Sequence, residues 1–225
     1  MTWLIVLSGI LCIMFFFFYA SYSIRSGIYV KAFCRKNTTE KVVALTFDDG
    51  PDPHYTPQVL DILKTHHVQA TFFCIGQKVE MYPAIILRMQ AEGHLIGNHS
   101  YEHSNRFPLF PLKKMVADLS RTQKSLEQIT GTSHPLFRPP FGVTNPTIAK
   151  AIRQLDYTTI GWSIRSLDTQ ISSPEKVLRR ITRQLSPGAV ILLHDRLPES
   201  PVLLENLLNY LKKNNYNIVR IDKLL

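Results

Sequence analysis

The sequence predicts an α/β fold, a distorted (β/α) barrel of about seven parallel strands, preceded by one N-terminal transmembrane helix. Three observations carry this expectation. Short apolar runs alternate with longer helical patterns from residue 42 onward, which implies parallel strands with helices packed outside. Polar clusters recur at the C-terminal ends of those runs, where a parallel barrel assembles its site from successive loops. Residues 2–22 contain no charged side chain.

That first segment reaches its most apolar stretch at Leu11-Cys12-Ile13-Met14 followed by Phe15 to Phe18. A bilayer core needs roughly 20 apolar residues as a helix. A cleaved signal peptide would show a basic start, a shorter apolar core and a small-x-small cleavage site. Residues 1–22 are therefore expected to be an uncleaved membrane anchor, residues 23–40 a short basic linker, and residues 41–225 one domain. Arg25, Lys31, Arg35 and Lys36 follow the span, and the positive-inside rule would hold them in the cytoplasm. The chemistry below belongs outside the cell, so an extracytoplasmic domain is expected, with the cytoplasmic side as the alternative.

The bulk numbers exclude several classes. A chain of 225 residues suits one sizeable domain. Its 45% hydrophobic and 19% charged residues are globular, not disordered. The net charge of +9 fits a protein held near anionic lipid or an anionic polymer. The basic residues are scattered and not interleaved with aromatics, which argues against a nucleic-acid partner. Three cysteines (Cys12, Cys34, Cys74) make no disulfide framework, and the absence of CxxC excludes a zinc ribbon. Cys74 lies in an apolar run and reads as a small buried hydrophobe.

The expected strands are 42–47, 71–75, 95–98, 136–138, 158–162, 189–193 and 217–221. The expected helices are 57–65, 78–92, 112–129, 146–155, 174–185 and 199–214. Thr56-Pro57, Asn145-Pro146 and Ser173-Pro174 each read as an N-cap followed by proline at the first helical position. Gly93 and Gly131 follow helical runs as C-terminal glycines do. Met115, Leu119, Leu126 and Ile129 fall near one helix face. Such alternation suggests a barrel closed on itself, with an open doubly wound sheet as the runner-up.

Five polar clusters follow five of these strands. Asp48-Asp49-Gly50-Pro51 ends the first. Neighbouring strand residues face opposite ways, so the turn is needed before both acids can serve one centre, one on a metal and one as a base. A plain polar turn is the competing reading. His99 and His103 stand four apart, a spacing that puts two imidazoles on one face of a helical turn. With one of the two aspartates they would make three metal ligands and leave a position open for water. The other histidines (54, 66, 67, 94 and 134) read as surface or loop residues. Arg138 opens Arg138-Pro139-Pro140-Phe141-Gly142 and can pair with a carboxylate, while the rigid loop could turn backbone N–H groups toward an oxyanion. Trp162 to Asp168 forms the fourth cluster and Leu193-His194-Asp195 the fifth. His194 would emerge at the barrel mouth, placed to protonate a leaving group, and Asp168 could hydrogen-bond it and raise its pKa.

Taken in order, TFDDG, HSYEH, RPPFG, WSIRSLD and ILLHD resemble the NodB-homology polysaccharide deacetylases, carbohydrate esterase family 4, over residues 42 to about 222. The resemblance implies removal of N-acetyl groups from an N-acetylglucosamine-type polysaccharide, with release of acetate. It implies Asp48 as general base; Asp49, His99 and His103 as ligands of one divalent ion, usually zinc; and Arg138 as the residue that orients the base. The backbone N–H of Phe141 would help bind the oxyanion, and Asp168 would tune His194 as general acid. Pro140, Trp162 and Leu192 are expected in the substrate groove. Phe141 stands where the family commonly has Tyr, Thr169 where Trp is frequent, and Arg165 where an acid is often found. The alternatives are an O-acetyl esterase, a deacetylase of a lipid-linked or nascent oligosaccharide, and a non-catalytic glycan-binding module.

Overall fold

The computed structural model describes residues 2–225, apart from the side chains of residues 2 and 5. After a long first helix α1 (Thr2–Tyr22), the chain runs β1 (Val42–Asp48), α2 (Tyr55–Thr65), β2 (Thr71–Cys74), α3 (Gly76–Met81), α4 (Pro83–Ala91) and β3 (Leu95–Asn98). It continues through α5 (Leu112–Thr130), β4 (Leu136–Phe137), α6 (Pro146–Gln154), β5 (Thr158–Thr159), β6 (Ile164–Arg165), α7 (Pro174–Gln184), β7 (Ala189–His194), α8 (Ser200–Lys213) and β8 (Asn217–Ile218).

These strands form one sheet in the order β5-β4-β3-β2-β1-β7-β6, with β8 also paired to β1. Every pairing is parallel. The end strands β5 and β6 do not pair with each other among the described residues. The sheet is thus an open half-barrel, not the closed barrel expected from the alternation. Both end strands are two residues long, too short to carry a closing ladder. The gap is edged instead by residues 33–35: Phe33 bridges Ile160 in parallel, and Arg35 bridges Ala189 antiparallel. Val30 is buried, and a side chain at Gly161 would collide with Cys34 and Ile24. The stretch expected to be a plain linker is laid down on the domain.

The two faces of β1 explain the layering. Val43, Leu45 and Phe47 pack outward with Val59 and Leu63 of α2 and with Leu204, Leu207 and Leu211 of α8. Each fully buried leucine contributes about 2 kcal/mol, and α8 buries five of them, Leu203, Leu204, Leu207, Leu208 and Leu211, on one side. Ala44 faces the interior with Phe73, Val190 and Ile160. Small and aromatic residues there leave room for the polar groups of the site.

The caps follow the sequence in part. Asn145 and Ser173 accept from the N–H of Ile148 and Lys176, and Gly131 ends α5 at φ 68°. At α2, however, Asp52 does the capping work expected of Thr56, accepting from the N–H of His54 and Tyr55. The expected helix 78–92 is two helices, because Pro83 starts a new one after Tyr82 leaves helical geometry.

Among the described residues no helix is long and apolar enough to cross a membrane. Phe15 to Phe18 are all exposed. The C-terminal end of α1 is docked: Thr144 donates from its N–H to Ser21 O at 2.9 Å and from its hydroxyl to Ala20 O at 3.2 Å.

Candidate active site

The C-terminal ends of β1, β3, β4, β6 and β7 converge on a cavity of about 420 Å³. Its lining includes Asp48, Asp49, His99, His103, Phe141, Trp162, Leu192 and His194. Arg138 and Asp168 lie behind this surface, buried, and each bonds a residue that lines it. Pro140 is buried in its loop and is not part of the cavity wall. A larger depression of about 670 Å³, near the start of β2 and β3, holds none of these residues.

Asp48 is the last residue of β1 and is turned inward. Its Oδ1 accepts from Nη1 of Arg138 at 2.7 Å. The Arg138 guanidinium is wholly buried and fully engaged, with Nη1 also on Thr46 Oγ1, Nε on Ile160 O and Nη2 on Gly161 O. It lies over the Phe73 ring, 4.2 Å from the centroid. Thr46, given no role in the sequence reading, holds this arrangement by donating in turn to Ile191 O at 2.8 Å.

Asp49 leaves the strand at φ 71°, a left-handed conformation that carries its carboxylate back toward the same cavity. Its Oδ1 lies 3.3 Å from His103 Nε2 and 3.5 Å from His99 Nε2. The three ligand atoms lie within 4.8 Å of one another, close enough to share one metal ion. Burial alone would raise the Asp49 pKa, but the His99 hydrogen bond and the charges of His99, His103 and His194 hold it well below the carboxylate range. His103 is pushed down to about 4, chiefly by burial and then by His99, so its imidazole is neutral near pH 7. His99 donates from Nδ1 to Arg138 O at 2.7 Å, which turns Nε2 toward Asp49. Two imidazoles, one carboxylate and an orienting backbone acceptor fit a catalytic zinc-type site.

The two histidines do not share a helical turn as expected. Ser100 and His103 both adopt positive φ, and the turn is held by Asn98 Oδ1 accepting from Ser100 N and by Ser100 Oγ accepting from His103 N. Strained backbone gathers here: Asp49, Ser100, His103, Phe141 and Leu167 are five of the eight non-glycine residues with positive φ among those described. The Phe141 ring meets the His103 ring edge-on at 4.7 Å. A side chain at Gly142 would run into Trp162, so glycine there lets the loop close on the indole.

Opposite, His194 donates from Nδ1 to Asp168 Oδ1 at 2.8 Å, and its backbone N–H donates to Asp168 Oδ2 at 2.8 Å. Ser166 Oγ and Thr169 N also bond Asp168 Oδ1. Burial pulls the His194 pKa down, but the Asp168 bond and charge, with the charges of Asp48 and Asp49, raise it overall.

Two further residues, Arg196 and Asp195, have no role in the sequence reading. Arg196 Nε donates to Asp49 Oδ2 at 2.9 Å; its only signal was a charge just past a strand end. Asp195 is fully buried, accepts from Thr56 Oγ1, and packs where a Gly50 side chain would stand. Burial pushes its carboxyl up to about 6. His94 and His134, expected as surface or loop residues, are buried, His134 within a loop.

A half-barrel with a two-histidine, one-carboxylate cluster that could hold a metal ion at one side of its mouth and an Asp–His pair at the other is suited to acid–base hydrolysis. The polysaccharide deacetylase family model matches residues 35–160. The chain belongs to that family, the NodB-homology deacetylases of carbohydrate esterase family 4. It is 36% identical over 198 residues to the peptidoglycan-N-acetylmuramic acid deacetylase PdaA of Bacillus subtilis, covering 86% of this chain and 75% of that one. It is 36% identical over 195 residues to a peptidoglycan-N-acetylglucosamine deacetylase of Bacillus cereus, covering 83% and 89%. The solved structure of PdaA superposes with a TM-score of 0.78, covering 86% and 84%.

Proposed function

We propose that this polysaccharide deacetylase hydrolyses the acetamide of N-acetylglucosamine-type sugars in peptidoglycan or a related surface glycan, yielding acetate and a free sugar amine. The observation that carries the reading is the separation of two consecutive aspartates, one held by Arg138 and the other set among two histidines. The names of the relatives, peptidoglycan deacetylases both, support the substrate.

Asp49, His99 and His103 would hold one divalent ion, zinc by the chemistry of the donors, which would supply Lewis acidity beside the attacking water. Asp48 takes the proton of that water. Arg138 positions Asp48 for this step. The N–H of Phe141 faces the developing oxyanion. His194, protonated and aimed from Nδ1 by Asp168, delivers a proton from Nε2 to the departing amine. Trp162 and Leu192 form the groove wall, and Pro140 stiffens the loop behind it.

Membrane anchoring by α1 belongs to the same proposal. It rests on an uncharged 21-residue helix whose phenylalanines are exposed, and an extracytoplasmic domain would meet its glycan there. A reporter fused at Leu225 tests the side.

The deciding experiment loads the full-length chain with zinc and follows acetate from N-acetylglucosamine oligomers and from an O-acetylated oligosaccharide. Acetate from the first, lost with chelator and in Asp48→Asn, supports the reading. Acetate from the ester alone would replace it with an esterase.

A further inference from the structure

The charges around the cavity are unevenly settled. Asp48 is taken by Arg138, Asp49 by the histidines and Arg196, and Asp168 by His194. Each of these three acids already has a cation. Arg165 does not have an anion. It lines the same cavity and is exposed. Its guanidinium has no hydrogen-bond or ion-pair partner among the described residues; its only bond beyond the strand ladder is its carbonyl accepting from Arg180 Nε at 3.0 Å. That bond brings a second cation beside it.

Register fixes where Arg165 points. It stands opposite Leu192 in the parallel β6–β7 pair, and paired residues in neighbouring strands present their side chains to the same face. Leu192 lines the cavity two residues before His194, so Arg165 flanks the wall on the side of the leaving amine. The remaining polar neighbours, Asn105, Thr169 and Gln170, are neutral. A free, planar, two-pronged donor on the wall of a substrate cavity matches a carboxylate.

We propose that Arg165 makes the site selective for an N-acetylated sugar that bears a free carboxylate, as N-acetylmuramic acid does and N-acetylglucosamine does not. The inference rests on the deacetylase reading and narrows its substrate. The relatives' names divide between those two sugars, so membership of the family leaves the choice open, and Arg165 decides it. Arg196 adds positive potential but is committed to Asp49, which leaves Arg165 as the specificity-determining residue. A substituent that converts the carboxylate to an amide removes the charge and with it the preference.

The test compares two oligosaccharides of alternating N-acetylglucosamine and N-acetylmuramic acid, one with free carboxylates and one with primary amides. Acetate is followed on the zinc-loaded full-length chain, and mass spectrometry locates the deacetylated sugar. The acid is expected to be preferred about tenfold in kcat/KM, mainly through KM, with the preference shrinking at high salt. In Arg165→Gln the two substrates should converge, and Arg165→Lys should recover part of the difference. Equal turnover of acid and amide by the wild type, or a preference that survives in Arg165→Gln, overturns the proposal. No acetate from either substrate strikes the deacetylase reading itself and this inference with it.

Discussion

The guanidinium of Arg138 and the carboxylate of Asp48 meet at 2.7 Å with almost no solvent contact on either side. Removing one partner of such a buried pair leaves an uncompensated charge and costs about 3–5 kcal/mol. Arg138→Met should therefore lower Tm by roughly 10 °C, since about 1 kcal/mol moves a chain of this size by about 2–4 °C. Thermal denaturation checks this, and an unchanged Tm would mean that the pair is not formed. Turnover should fall as well, because Asp48 loses the group that aims it.

Asp48 and Asp49 should separate in their metal content. Asp48→Asn is expected to keep about one ion per chain while turnover falls by about 10³. His99→Ala should lose the ion, because Nε2 of His99 is one of the three converging ligand atoms. Elemental analysis of the two variants gives the answer. Equal metal loss in both would reverse the roles of the two aspartates.

The Asp168–His194 pair predicts a pH effect. Asp168 holds the His194 pKa above its ordinary value against the pull of burial. A general acid works while protonated, so the raised pKa extends activity toward alkaline pH. Asp168→Asn should move the alkaline limb of kcat/KM to lower pH. His194→Ala should harm amide cleavage more than ester cleavage, because an alkoxide leaves with less help than an amine. An unmoved limb, or equal losses on both substrates, would remove His194 from the acid role.

His94 links stability to pH. It accepts from Ala70 N at Nδ1, and burial, opposed by Glu92, pushes it down to about 4 from 6.5. The folded state favours the neutral ring, so its contribution is complete above pH 6.5. It erodes as pH falls from there toward 4, by up to about 3 kcal/mol. His94→Gln should flatten the loss of stability in that window, read from urea midpoints. A slope identical to the wild type would place the acid sensitivity elsewhere.

Much of this was legible before any coordinates. The clusters at Asp48, His99, Arg138, Asp168 and His194 mark themselves because charged residues directly follow short apolar strands, and the strands set their positions. What sequence spacing cannot show is backbone that departs from a regular element. His99 and His103 were paired by helical arithmetic, yet the actual turn depends on Ser100 and His103 at positive φ. Closure of the barrel failed for a related reason: β5 is bridged by Phe33, from a segment more than a hundred residues away that carries no strand pattern of its own. Arg196 was hidden because its partner lies on another strand, and His94 because a polar residue at a strand start looks exposed.

The bonds from Thr144 to the end of α1 have a mechanical meaning. Thr144 sits three residues beyond Phe141, on the loop that also carries Arg138. The end of the helix is therefore hydrogen-bonded to the loop that borders the reaction centre. If α1 is seated in a lipid sheet, as proposed above, these bonds would hold the cavity near a set height above it. The enzyme would then work within a narrow stratum, on whatever strand passes at that level, and could not lean outward to reach one farther away.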